Sequence, residues 1–174
     1  MAHSSHSFFH FARHARFILL AFGIIALAGC GFRLSGPKPM AFSTVHVSET
    51  QYSQLGIALR RQIALSGSTQ VEEDASRAET RLQILANTRS REILSLTATG
   101  RVREYELIQT LRFRLVDSNN NELIPPSTLT ARREYTFSDE IILGKEQEEA
   151  LLYDDMQSDL VRQLMRRLAA WQRP

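Results

Sequence analysis

The only thiol in the chain is Cys30, and it directly follows Leu27-Ala28-Gly29. A lone cysteine has no intrachain disulfide partner, so its chemistry is that of a single nucleophilic sulfur. Of five histidines, His3, His6, His10 and His14 precede Cys30, and only His46 follows it. A catalytic triad, a zinc site or a Cys–His pair therefore lacks the side chains it needs downstream of Cys30. Two-carboxylate chemistry requires only Asp and Glu. No acidic pair here has a context that would raise a carboxyl pKa, and there is no Gly-rich loop and no G-x-S-x-G. The expectation is a protein that is not an enzyme and holds no metal and no cofactor.

The elements that would present Cys30 are those of an export leader. Arg13 and Arg16 form a basic flank, Phe17 to Ala28 is an unbroken apolar run, and small residues precede the cysteine. The run is too short for a spanning helix, which needs about 20 apolar residues. A basic flank at the N-terminus argues against a buried core helix. Leu27-Ala28-Gly29-Cys30 resembles a bacterial lipobox. That resemblance implies a signal peptide over 1–29, cleavage before Cys30, and covalent N-acyl and S-diacylglycerol groups on Cys30. Gly31, where Asp would favour retention in the inner membrane, implies the outer membrane. Several acyl chains would make such an anchor effectively permanent.

Removing residues 1–29 changes the composition. The leader holds Arg13 and Arg16 and no acids, so 19 basic residues face 19 acidic ones in the remainder. A charge-balanced chain gives no reason to propose nucleic acid as a partner. All basic residues after Cys30 except Lys38 and Lys145 are arginine. Arginine suits interfaces and phosphate or carboxylate recognition; codon usage in a GC-rich genome explains the same excess, and both readings stay open.

The mature chain divides into a lipidated tether, 30–40, and a single α+β domain, 41–174. Gly36-Pro37-Lys38-Pro39 keeps the tether extended. Ala41 to Val47 alternates as a strand, with His46 on its outer face. Tyr52, Leu55, Leu59 and Ile63 recur at helical spacing, with Ser48, Thr50 or Ser53 to cap and Gly67 to stop. A polar loop contains a short strand at Gln70–Val71. Glu79 to Thr97 reads as a long strand with Leu82, Ile84 and Ala86 on one face. After a turn at Thr97–Gly100, Tyr105, Leu107, Leu111, Phe113 and Leu115 alternate with Glu104, Glu106, Thr110, Arg112 and Arg114. Pro125-Pro126 marks an irregular loop before a last strand through Leu129, Ala131, Tyr135 and Phe137.

Leu152, Met156, Leu160, Leu164 and Leu168, widened by Leu151, Val161, Met165 and Trp171, predict a long amphipathic helix. Glu146, Glu148 and Glu149 crowd its start. The fold class expected is α+β, a mostly antiparallel four-stranded sheet with two helices packed on one face. The other sheet face, carrying Arg112, Arg114, Arg132, Glu104, Glu106 and Glu134, is left for solvent or for another polar surface, such as a barrel lumen.

Gly29-Cys30-Gly31-Phe32-Arg33-Leu34, Gly100-Arg101-Val102-Arg103-Glu104-Tyr105-Glu106-Leu107, the block Leu143 to Glu149 and the last helix together resemble the LptE family of lipopolysaccharide-assembly lipoproteins. The resemblance spans the mature chain. It implies a palmitate-bearing outer-membrane lipoprotein, on the periplasmic side or inside a barrel lumen. Such a protein plugs the LptD β-barrel, assists its assembly and takes part in delivering lipopolysaccharide to the outer leaflet. It also implies lipopolysaccharide contact at Arg101, Arg103 and Lys145. The rival reading is an accessory lipoprotein of another outer-membrane barrel or of a barrel-insertion machine.

Overall fold

The computed structural model describes residues 39–137 and 142–172. The leader, Cys30 and nearly all of the tether lie outside the described residues. Strand β1, Thr44–Val47, leads into helix α1, Gln54–Leu65, and the two-residue strand β2, Gln70–Val71. Three long strands follow, β3 (Thr80–Leu96), β4 (Val102–Asp117) and β5 (Glu122–Thr136), and helix α2 spans Ile142–Ala170.

The strands form one five-stranded mixed sheet in the order β2-β1-β3-β4-β5. Strand β1 is parallel to both β2 and β3, whereas β3, β4 and β5 are antiparallel. This corrects the expected four-stranded, mostly antiparallel sheet. A helical crossover returns the chain to the same end of the sheet, so the strand after α1 must run parallel to β1. Gln70–Val71 thereby becomes a fifth, edge strand.

The α+β architecture itself stands, and both helices feed one core. Val45, Val47, Leu82, Leu107, Leu111, Phe113 and Leu115 of the sheet are buried with Leu55, Leu59 and Ile63 of α1 and Met156, Leu160, Leu164 and Leu168 of α2. Ser53 caps α1, its Oγ accepting the Gly56 N–H at 2.9 Å. Tyr52 precedes the helix and is 83 % exposed, so it is not part of the apolar stripe. In α2, Leu151 is exposed while Tyr153 is buried. Because α2 begins at Ile142, the glutamates fall after its first turn, and only Arg167 in its last turn complements the helix dipole.

The long strands bend through bulges, as their length requires. Register shifts interrupt β3 between Ile84 and Ala86 and again between Ile93 and Leu96. The first shift corrects one expected face: Ala86 opposes Arg112, away from the core, while Asn87 opposes buried Leu111. Pro125-Pro126 lies inside β5 and not in a loop. A sheet edge tolerates proline because no ladder donor is lost there, and both prolines sit where β5 bulges against β4.

Candidate partner-binding face and hairpin

Register fixes two sheet faces of opposite character. On the face turned from the helices, Thr88 opposes Thr110, which opposes Thr130. Two steps toward the hairpin tip, past the row Ser90, Ile108 and Arg132, Glu92 opposes Glu106, which opposes Glu134. In the other direction lie Arg112, Arg114 and Arg81. The face is therefore polar and mixed in charge, with the glutamate row toward the tip, Arg132 and the threonine row next, and Arg112, Arg114 and Arg81 beyond. Part of this charge is internally answered: Arg132 donates to Glu106 at 2.5 Å, Arg114 to Glu122 at 3.2 Å and Gln83 at 2.7 Å, and Arg81 to Asn120 at 2.8 Å. Like charges directly opposite one another destabilise a sheet, so the glutamate row is a local cost that folding alone does not require. His46 shares this face, its Nδ1 3.1 Å from the Glu72 carbonyl oxygen.

The distal half of the hairpin is organised differently on its helix side. Arg91 stacks on Tyr105, 4.5 Å from the ring centroid, and donates to Glu149 of α2 at 2.9 Å. Arg89 lies 4.9 Å from the centre of the Tyr153 ring, and Tyr153 donates its hydroxyl to the Ser90 carbonyl at 2.9 Å. Tyr135 stacks with Tyr105 and donates to Glu149 at 2.6 Å. Arg133 reaches back to Asp155 at 2.9 Å and also bonds Asp159. These contacts seat the first half of α2 around buried Leu107, which stands between Arg91 and Arg133 in the register. Sequence reasoning missed Arg89, Arg91 and Arg133; their alternation opposite an acidic helix start was the available signal.

The cluster has an electrostatic signature. Burial, followed by the Glu149 hydrogen bond, pushes the Tyr135 phenol from 10.0 to about 12. Burial alone would raise Asp159, yet its bonds to Arg133 and Arg162 hold its carboxyl below the ordinary value. A folded-state pKa raised above the unfolded one stabilises fully below the unfolded pKa and less as pH rises. Stability should accordingly fall between pH 10 and about 12. Tyr135→Phe should flatten that fall to what Tyr153, also raised by burial, contributes. Denaturant titrations at pH 9 and pH 11.5 check this; an unchanged pH dependence in the variant would contradict it.

Of the three basic residues singled out from the sequence, Arg101 lies at the hairpin turn, Arg103 at the tip end of β4 and Lys145 at the start of α2. Arg101 closes the hairpin turn, its N–H bonding Thr97 Oγ1 at 3.1 Å. Gly100 supplies the turn with φ +79°. Arg103 pairs with Glu104 at 3.5 Å and Lys145 with Glu148 at 2.6 Å. The distal end of β3 exposes Ile93, Leu94 and Leu96. Cys30 lies outside the described residues. Among the described residues no three His, Cys, Asp or Glu side chains are grouped to hold a metal, and no helix is long and apolar enough to cross a membrane.

The chain is similar to known proteins over nearly all of this architecture. The family model described as LptE, lipopolysaccharide-assembly, matches residues 42–168. The LPS-assembly lipoprotein LptE of Pectobacterium atrosepticum is 29% identical over 161 residues, covering 90% of this chain and 86% of the relative. Its counterpart in Yersinia enterocolitica is 26% identical, covering 87% and 73%. Among solved structures, an uncharacterized lipoprotein B from Nitrosomonas europaea superposes with a TM-score of 0.68 at 35% identity, covering 80% of this chain and 91% of that one. The rare lipoprotein B of Shewanella oneidensis, at 24% identity and TM-score 0.65, covers 74% and 95% and shares the fold. With its mixed sheet, its long hairpin, α1 and all but the last two residues of α2 inside the matched span, the chain belongs to the LptE family of lipopolysaccharide-assembly proteins.

Proposed function

We propose that the protein serves lipopolysaccharide assembly as a lipid-tethered plug. In this reading Cys30 carries the acyl groups and holds the molecule at the outer membrane. The helix-free face of the sheet seats against the polar inner wall of the LptD barrel. The single observation that carries the reading is that face: a broad polar surface of hydroxyls and mixed charge, turned away from both helices. A barrel lumen is polar and wet, so it matches such a surface without requiring an apolar patch. The action is one of fit, guidance and assembly, with no covalent step.

Lipopolysaccharide would be met at the hairpin. Arg101, Arg103 and Lys145 are the proposed phosphate contacts, with Ile93, Leu94 and Leu96 offering apolar surface at the distal end of β3. Arg103 and Lys145 already hold carboxylates. An arriving phosphate would therefore exchange one ion pair for another, which keeps the contact weak enough to release its cargo.

Hydrogen exchange of the free protein against the barrel-bound one tests the plug. Amides of β4 and β5 around Thr110 and Thr130 should become protected at least tenfold in the complex, with α1 changed less. Unchanged protection across the open face, or co-purification from outer membranes with a different barrel, would remove the LptD assignment.

A further inference from the structure

Helix α1 has an outer surface that neither the core nor the open sheet face uses. Ile57, Arg61 and Leu65 are spaced four residues apart and share one stripe. Ile57 is 54 % and Leu65 61 % exposed, and Tyr52 stands just before the helix. The helix contains Arg60 and Arg61 and no acid. Arg60 is committed inward, to Glu73 and to the carbonyls of Glu49 and Val47. Arg61 remains on the outer stripe and lines a cleft of about 320 Å³ between α1 and α2 with Ile57, Ala58, Val161 and Arg162. Gln54, Gln62 and Ser158 complete its lining, so the cleft mixes apolar and polar side chains with two guanidiniums.

We infer that the outer face of α1 docks on an anionic phospholipid leaflet, with Ile57, Leu65 and Tyr52 in the acyl boundary and Arg61 among the headgroup phosphates. Apolar side chains flanked by arginine without acids are the composition of an interfacial helix. A barrel lumen, being polar, would leave these side chains without a complement. The entry point of the chain supports the same occupant. The Met40 N–H bonds Ser68 Oγ at 3.1 Å, so the polypeptide enters the folded domain beside the C-terminal end of α1. From residue 39 back to residue 30 an extended chain reaches at most roughly 30 Å.

This inference rests on the proposed acylation of Cys30 for its strength. A face too small to bind a membrane from solution becomes effective when an anchor supplies a high local concentration. Its direction does not depend on that anchor.

The test uses the mature lipoprotein purified from outer membranes and reconstituted in phosphatidylethanolamine–phosphatidylglycerol vesicles. Ile57→Cys or Leu65→Cys would carry an environment-sensitive fluorophore, with Thr130→Cys on the open sheet face as the control. The expected result is a blue shift and quenching by brominated lipids at 57 and 65 but not at 130. Labels at 57 and 65 as wet as the control would overturn the inference. So would labels shielded equally in detergent, because a protein then covers the face. Intact mass reports the acyl chains separately. Acylated protein without the shift removes the helix contact alone, and unacylated protein that still shows it on vesicles removes the anchor alone.

Discussion

Phe113→Ala should cost about 3–5 kcal/mol of folding stability, the range for emptying a fully buried aromatic site. Phe113 is completely buried on the central long strand, with Ile84 opposite it across the sheet. Removing the ring leaves a cavity between sheet and helices that stiff strand backbones cannot close. Domains of this size are stable by only about 5–15 kcal/mol, so the variant should lose a large part of its cooperative transition in urea. Thr130→Ala, on the open face of β5, should change stability by no more than about 0.5 kcal/mol. The pair separates the two faces: the first substitution acts on folding. Under the plug reading, bulky substitutions at Thr110 or Thr130 act on partner binding. Equal losses at Phe113 and Thr130 would mean that the open face also contributes to the core.

Gly56→Ala should destabilise by at least about 2 kcal/mol, although alanine is ordinarily the better helix former. A Cβ on Gly56 would lie 1.9 Å from the Thr50 carbonyl oxygen, and backbone cannot swing away as a long side chain can. That carbonyl accepts from Ser53 Oγ at 3.1 Å, and the same Oγ accepts the Gly56 N–H that caps α1. The extra methyl group therefore dislodges the cap as well as the β1–α1 connection. Ser53→Ala, which removes the cap alone, should cost only about 1 kcal/mol. Gly67→Ala should cost about 1–2 kcal/mol for a different reason, because φ is +68° there and the surrounding space is open. Thermal denaturation of the three variants checks the order; Gly56→Ala milder than Ser53→Ala would show that the Thr50–Ser53 segment yields.

Periodicity was enough to locate both helices and the inward set on β4, and turn residues were enough to locate the turn at Gly100, because each rests on local geometry. The family motifs are legible for the same reason, since they too are written in contiguous residues. Tertiary structure decided what depends on neighbours distant in sequence. The short strand at Gln70–Val71 is legible in the sequence, but two residues carry too little pattern to say that it joins the same sheet parallel to β1. The bulge after Ile84 moved Ala86 off the core face, since one inserted residue inverts every side chain beyond it. Arg89, Arg91 and Arg133 find their partners only on the acidic and aromatic side of α2, which lies far along the chain. Alternation says that a side chain faces one way or the other, and only the packing of the elements says what waits there.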